Sequence, residues 1–391
     1  TPSKASGAQV IDGSLKFDGS KSNRLTRTFG SAGNRTSWTW SCWTKRDLLT
    51  LSNRQVIFGG YSASNNTDWL EIGWDNSADH VYWTSNGVTS DGTAQRRDPA
   101  SWYHFFSTYD GSNLRIYVNN RLDLDYSVTG NMGINVAGAH YIGQSPKNAE
   151  DRHLDGRLSQ CYFIDGQVLN PSDFAFTDPL TNTWKPKKYK VALAETVTVQ
   201  PTYVSNSSVL DPTNAFDGSS GTEATYSGVN SWLSFTVSDA SNLTVPFRIR
   251  NDSSGTGQTV AMFTDSGGSS AASGTWGSTG TNNLSPAVST TVDDTYTFPS
   301  TGTYYLRHTV GSDSNIFVYK IGGDVTTGAN SFYLPLDGNS PIGQDQSGNG
   351  NDWTPVNFGG SVALDNPQVS GAKPILNTTQ GGTAAGVGVF G

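Results

Sequence analysis

Three acidic residues, Asp68, Glu71 and Asp75, fall within the stretch Asp68-Trp69-Leu70-Glu71-Ile72-Gly73-Trp74-Asp75. Two carboxylates about 5–5.5 Å apart could cleave a glycosidic bond as nucleophile and acid/base. On one strand such a pair needs alternate spacing, because residues i and i+2 share a face. Positions 69 and 73, on either side of Glu71, are Trp and Gly. The spacing argues against a hydrolase, and the chain is not expected to be an enzyme. The five histidines, His80, His104, His140, His153 and His308, show no metal-ligand spacing. His104 is expected as a packed or hydrogen-bonded ring. No Gly-x-Ser-x-Gly elbow or phosphate-cradling loop stands out.

The aromatic residues suit a different chemistry. Sugars present flat C–H faces that stack on Trp and Tyr, and their hydroxyls pair with Asn, Asp and Gln. Tyr61, Asn65, Trp69, Asp75 and Tyr82 lie within a few strands and loops, among Asn66, Trp74, Asn76 and Trp83. They form the candidate glycan-binding set. About half the aromatics on each strand should face the core. Trp74 shares its parity with Leu70 and Ile72 and is expected inside. Trp69 shares its parity with Glu71 and is expected to be exposed.

The composition indicates what must position these groups. Among 391 residues there are 44 glycines, 11 tryptophans and 16 tyrosines, and only 15% are charged. Few charges, many β-branched and aromatic residues and Gly-rich punctuation favour an all-β fold. The length suggests two or three domains. A net charge of −8, with no long basic run, argues against nucleic acid as a partner. No apolar run approaches the ~18 residues of a membrane span, so no membrane insertion is expected. Thr1-Pro2-Ser3-Lys4 lacks the apolar segment of a signal peptide. Either a signal was removed, or the chain is assembled inside a cell and released by another route. Cys42 and Cys161 are too few for a disulfide framework. They read as small buried hydrophobes, with a cross-strand disulfide as the alternative.

Asp-Gly and Asn-Gly pairs punctuate the first part of the chain at Asp12-Gly13, Asp18-Gly19, Asn86-Gly87, Asp91-Gly92, Asp110-Gly111 and Asp165-Gly166. Strands are expected at 13–17, 38–44, 56–61, 69–74, 80–84, 103–109, 114–118, 140–143 and 158–165, in a sandwich of antiparallel sheets. A short helical turn is expected at 169–174. Trp184-Lys185-Pro186-Lys187-Lys188-Tyr189 reads as a surface connection. Between Lys190 and Thr327 aromatics thin out. Strands at 196–199, 232–237, 247–250, 259–263, 295–298, 304–310 and 316–321 suggest a second, smaller sandwich. Residues 265–285 read as a flexible Gly/Ser/Thr loop. Residues 328–391 read as an extended segment that either packs on the first domain or starts a further one. The end has no stop-like composition, which suggests a fragment boundary.

The hairpin from Trp102-Tyr103-His104 through Tyr109-Asp110-Gly111 to Leu114-Arg115-Ile116-Tyr117-Val118-Asn119-Asn120 resembles the central hairpin of laminin-G/pentraxin-like domains. These belong to the concanavalin A-like lectin and glucanase superfamily. Tyr141-Ile142-Gly143, Leu154-Asp155-Gly156-Arg157-Leu158-Ser159-Gln160-Cys161-Tyr162-Phe163 and Leu169-Asn170-Pro171-Ser172-Asp173-Phe174 follow in the family's order. The resemblance implies a concanavalin A-like antiparallel β-sandwich over 1–189. Such domains often bind calcium near the sandwich rim through Asp carboxylates and carbonyl oxygens. Calcium is therefore a candidate cofactor, with Asp18, Asp110 and Asp155 as candidate ligands; Asp91 and Asp165 also lie in turns. Asp-Gly is equally the ordinary chemistry of tight turns.

A narrower resemblance overlies this one. Gly7-Ala8-Gln9-Val10-Ile11-Asp12-Gly13-Ser14-Leu15-Lys16-Phe17-Asp18, Gly33-Asn34-Arg35-Thr36-Ser37-Trp38-Thr39-Trp40-Ser41, Trp184–Tyr189, Phe332-Tyr333-Leu334-Pro335-Leu336-Asp337 and Asp345-Gln346-Ser347-Gly348-Asn349-Gly350-Asn351-Asp352-Trp353-Thr354 are similar to large virion proteins of marine tailed bacteriophages. There the last pieces often lie close together, so 190–327 is expected to be an inserted domain with adjacent termini. Within it, Asn214-Ala215-Phe216-Asp217-Gly218, Thr222 and Trp232-Leu233-Ser234-Phe235 resemble the opening of galactose-binding-like jelly rolls. The resemblance implies a virion-surface protein on a fibre or appendage, partnered by other virion proteins, by copies of itself (a trimer is one possibility) and by host cell-surface polysaccharide. The alternative is an architectural capsid-decoration, collar or shaft component that binds no ligand.

Overall fold

The computed structural model describes residues 9, 11–49, 53–62, 68–130, 132–147, 152–238, 244–252, 257–311, 316–358 and 362–363. The chain divides into two compact units, Thr1–Ala194 with Gly328–Gly391, and Glu195–Thr327. Both are all-β, and every strand pairing between described residues is antiparallel.

Twelve strands build most of the first unit: β1 (Ser14–Phe17), β2 (Arg24–Phe29), β3 (Trp38–Arg46), β4 (Gln55–Tyr61), β5 (Trp69–Trp74), β6 (Val81–Ser85), β7 (Val88–Asp91), β8 (Tyr103–Tyr109), β9 (Asn113–Val118), β10 (Arg121–Ser127), β11 (Gly138–Ile142) and β12 (Gly156–Asp165). One sheet runs β10-β9-β8-β3-β12-β1, and the other runs β2-β11-β4-β5-β6-β7. Large aromatics from their facing sides fill the space between them, as burial of 150–250 Å² per ring favours. Trp40 of β3 stacks on Phe58 of β4 at 4.3 Å and 8°, which ties one sheet to the other. Trp38, Trp74, Trp83, Phe105 and Phe163 are buried around this pair.

The C-terminal segment adds strands to both sheets, and Val362–Ala363 pairs with β1. Phe332–Leu334 pairs with the second half of β12, and Thr354–Val356 pairs with β2. Phe332, Leu334, Leu336 and Trp353 join the same core. Asp165, at the end of β12, anchors the segment. Its carboxylate accepts from Asn34 N (2.7 Å), Asn135 Nδ2 (2.6 Å) and Asn330 N (3.3 Å). Burial pushes this carboxyl above its ordinary range, and the three donors offset part of that shift.

Strands β3 and β8 are buried along their whole length, whereas β9 alternates. The difference arises because the outer face of their sheet is itself covered. Phe106, Tyr162 and Tyr333 pack there against Phe174 and Val191, and Trp43 and Trp102 pack against Ala175 and Trp184. Residues 184–189 are therefore not a simple surface connection. Trp184–Pro186 pairs with Ala175–Thr177, and the Tyr189 ring lies 4.7 Å from that of Phe174. The expected helical turn is Pro171–Phe174, whose Asp173 carboxylate accepts from Asn170 N at 2.9 Å. Cys42 and Cys161 are both free thiols in the core.

The second unit has a five-stranded sheet, in the order Thr202–Ser207, Trp232–Val237, Gly302–Val310, Thr259–Phe263, Asn283–Leu284. Its six-stranded sheet follows the order Val209–Leu210, Ala224–Tyr226, Ile316–Ile321, Thr244–Asn251, Thr290–Thr297, Thr275–Trp276. Trp276, Tyr296, Phe247 and Phe235 centre its core. The expected loop at 265–285 carries two of these short strands, and Trp276 is fully buried, donating from Nε1 to the Asn282 carbonyl. Glu195–Val199 pairs with Gly323–Thr327, Glu195 opposite Thr327, so this unit begins and ends at adjacent points.

Candidate functional site

The candidate glycan residues sit on β4, β5 and β6 or the turns after them. The face of this sheet turned away from the core follows from the register. Tyr141 lies opposite Thr26 and Gly59, Tyr61 opposite Ala139 and Trp69, Glu71 opposite Gly59 and Thr84, and Gly73 opposite Tyr82. Because side chains alternate, Thr26, Tyr141, Tyr61, Trp69, Glu71 and Tyr82 share this face, with Arg24 one step along β2.

Much of this face is covered. A β-carbon at Gly59 would lie 3.0 Å from Pro146 Cδ, so the glycine lets the chain after β11 rest on the sheet. Glu71 is fully buried beneath it. Arg152 Nη1 donates to Glu71 Oε2 at 2.7 Å, and Ser145 Oγ donates to Oε1. A buried carboxylate is expensive without such partners. With Trp69 and Gly73 beside it and Gly59 and Thr84 across from it, Glu71 has no carboxylate neighbour of the kind a retaining glycosidase needs.

Three of the candidate glycan residues, Trp69, Tyr82 and Asp75, are buried here. Trp69 is only 7% exposed, and the Lys147 ammonium sits 4.4 Å from its ring centre. Tyr82 is fully buried beneath the Arg54 guanidinium, 5.0 Å from its ring centre, and its hydroxyl has no partner among the described residues. Burial, reinforced by Glu71, drives the Tyr82 phenol well above its ordinary range. Neither ring can stack on a sugar. The parity argument assumed solvent on one face of the sheet, and here both faces are covered. Asp75 is also buried and spent on its own turn, accepting from Ser77 Oγ (2.7 Å), Ala78 N (3.1 Å) and His80 N (2.6 Å). Burial works to raise its carboxyl, but these donors outweigh it and hold the group below its ordinary range. Asn65 lies outside the described residues.

Tyr61 is half-buried, and so is Tyr141, which the sequence reading left out. The two are diagonal neighbours on adjacent strands, a relation that places side chains about 7–8 Å apart. The Arg24 guanidinium lies 5.5 Å from the Tyr141 ring centre, and Thr26 is beside it. Arg24, Thr26, Tyr141 and Tyr61 thus form the accessible part of the face. The signal that could have located it is the alternation Arg24-Leu25-Thr26, which puts polar groups opposite the aromatic of β11.

The three candidate calcium ligands are not gathered at one point: Asp18 and Asp155 meet at one turn, and Asp110 lies away from them. Asp18 accepts from Ser20 N at 3.0 Å and Ser20 Oγ at 2.6 Å, and the Ser20 hydroxyl is the main cause of its lowered carboxyl pKa. Asp155 reaches the same turn, accepting from Gly19 N at 3.2 Å. Asp110 caps the β8–β9 turn, accepting from Asn113 N at 2.7 Å and pairing with Arg115 at 2.6 Å. Trp38 is opposite Tyr109 and Arg46 is opposite Gly156, so Asp110 and Asp155 lie at opposite ends of β3. Nine strand residues separate these ends by roughly 27 Å. Among the described residues no three His, Cys, Asp or Glu groups could hold one metal ion. Asp18, Asp110 and Asp155 together do not fit one calcium centre; Asp18 and Asp155 bond the turn at Gly19 and Ser20, and Asp110 caps a turn and pairs with Arg115.

Residues 18–173 match the family described as the concanavalin A-like lectin/glucanases superfamily. The first unit is accordingly a laminin-G-like, concanavalin A-like sandwich, the lectin type of fold. Solved structures resemble this chain at low identity. A native heptameric SAP-like pentraxin from Limulus polyphemus is 16% identical, with 42% of this chain and 80% of that chain covered and a TM-score of 0.33. Mouse laminin alpha1 domains LG4-5 are 11% identical, with 85% and 92% covered and a TM-score of 0.32. The carbohydrate binding module CBM66 from Bacillus subtilis is 16% identical, with 40% and 87% covered and a TM-score of 0.23. No curated protein matches the sequence.

Proposed function

We propose that this chain is a non-enzymatic glycan-recognition protein displayed on the virion of a tailed phage, and that Tyr61 and Tyr141 provide its sugar platform. The observation that carries the binding role is the pair of accessible rings on one sheet face, flanked by Arg24 and Thr26, on a lectin-type sandwich. The virion setting is supported by the sequence resemblances at 7–41, 184–189 and 332–354. Weak single contacts would gain avidity from several copies on one particle.

The architectural alternative draws support from Trp69 and Tyr82, whose rings are spent on internal packing. Adsorption separates the two readings. Fluorescently labelled protein is applied to candidate host cells, with and without competing host polysaccharide. Saturable binding that polysaccharide abolishes, and that Tyr61→Ala and Tyr141→Ala each weaken about tenfold without changing thermal stability, supports the platform. Absence of binding by a correctly assembled sample supports the architectural reading.

A further inference from the structure

The second unit carries a cavity of about 250 Å³ lined by Pro246, Phe247, Arg248, Asp293, Asp294, Thr295 and Lys320. It lies on the outer face of the six-stranded sheet. Thr244–Asn251 alternates, with Val245, Phe247, Ile249 and Asn251 buried, so Pro246 and Arg248 point outward. Pro246 is opposite Thr295, and Arg248 is opposite both Asp293 and Lys320. The two cations therefore sit on adjacent strands, with the Pro246 ring and the Thr295 side chain at one end.

The two cations are not equally paired. Arg248 Nη1 meets both oxygens of Asp293, at 3.0 and 2.8 Å. Lys320 has no hydrogen-bond or ion-pair partner among the described residues. Asp294 is directed elsewhere: its carboxylate accepts from Ser278 N and Ser278 Oγ at the sheet edge. The ammonium is also placed. A β-carbon at Gly323 would lie 2.6 Å from Lys320 Nζ and 2.7 Å from Cε, so the stem lies across a glycine that leaves room for it. Lys320 is thus a cation held at a cavity without an ion-pair partner among the described residues, on a chain of net charge −8.

We propose that this cavity is a second carbohydrate site, specific for a sugar acid. The Pro246 ring offers an apolar floor for the C–H face, and the Thr295 hydroxyl a partner for a ring hydroxyl. Lys320, with Arg248 beside it, would bind the carboxylate by charge-assisted hydrogen bonds. Asp293 competes with that carboxylate for the guanidinium. The choice of a sugar as ligand rests on the glycan-recognition reading, but the site lies in a different unit from Tyr61 and Tyr141.

The test uses the full chain and titrates polygalacturonate, fully methyl-esterified galacturonan and dextran sulfate. The expected result is binding of polygalacturonate with little binding of the ester. Lys320→Gln should raise the Kd about tenfold, the size of one lost charge-assisted bond. Asp293→Ala should lower it several-fold, because it frees Arg248. Both substituted side chains are outside the core, and unchanged thermal stability would show that the fold persists. Equal binding of acid and ester, insensitivity to Lys320→Gln, weaker binding by Asp293→Ala, or tighter binding of dextran sulfate than of polygalacturonate would each overturn the proposal. Host-cell adsorption is measured on the same variants. Loss there with Tyr61→Ala but not with Lys320→Gln separates failure of this site from failure of the first.

Discussion

The Trp184 indole N–H donates to His104 Nδ1 at 3.1 Å, and this fixes the state of a fully buried histidine. With Nδ1 accepting, the ring proton is on Nε2, which donates to Ser41 Oγ at 2.9 Å. The ring stacks on Trp43 at 5.2 Å. Protonation would break the indole bond and bury a charge among aromatics, so burial pushes the His104 pKa down to about 3. His140, buried against Phe29 and Phe58, is pushed down to about 4, again chiefly by burial.

These two rings predict acid sensitivity of the first unit. Each folded-state pKa lies below the unfolded value of about 6.5. The stabilisation is therefore fully present above pH 6.5 and is lost as pH falls from there toward the folded values. Each histidine costs about 1.4 kcal/mol per pH unit in that window, or roughly 2 kcal/mol at pH 5. The raised carboxyls of Asp47 and Asp165 act in the opposite direction at lower pH. Denaturant titrations at pH 7 and pH 5 should show the loss, and His104→Gln should lose less between the two pH values than the parent. Equal losses would remove His104 as the source.

Glu71 and Arg152 should be asymmetric under mutation. Arg152→Ala strips a cation bonded to a fully buried carboxylate. The expected cost is roughly 3 kcal/mol, the low end for a broken buried pair because the Arg152 side chain is 22% exposed. Adding Glu71→Gln should recover much of it. A double variant as unstable as Arg152→Ala alone would show that Arg152 acts through packing.

The sequence showed the strands better than it showed their surroundings. Tyr103–Tyr109 and Trp69–Trp74 were legible because aromatic and β-branched runs end at turn residues. Arg24–Phe29 was not, because Arg27 interrupts the apolar alternation from an inward-facing position. Its Nη1 donates to the Asp352 carbonyl at 2.7 Å, and nothing near it in sequence announces that bond. Trp69 and Tyr82 misled for a related reason. Burial of an outer face depends on distant chain: Lys147 covers Trp69 and Arg54 covers Tyr82. Asp18, Asp110 and Asp155 were legible as turn residues, but whether turns converge is set by strand register.

Trp353 should be among the costly positions in the first unit. Its ring lies 5.0 Å from Phe332 and 6.5 Å from Phe29, so it joins the C-terminal segment to the core. Trp353→Ala is expected to cost about 3–5 kcal/mol. Calorimetry should show a large fall in the melting temperature of the first unit. A change under 1 kcal/mol would mean that the segment is dispensable to that core.

The second unit should be removable. Its first and last strands pair with Glu195 opposite Thr327, so the points where the chain enters and leaves are a strand spacing apart, about 5 Å. A two- or three-residue Gly-Ser bridge from Ala194 to Gly328 spans that gap without strain. The shortened chain keeps both parts of the first core, the strands before Ala194 and the segment carrying Phe332 and Trp353. It is expected to fold cooperatively, to keep the acid sensitivity set by His104, and to adsorb to host polysaccharide as the full chain does. It should lose the preference for polygalacturonate over its methyl ester, because Arg248 and Lys320 leave with the excised unit. A shortened chain that folds but still distinguishes acid from ester would place that specificity in the first unit. One that fails to fold, even with a longer bridge, would show that the insert supports the sandwich that carries it.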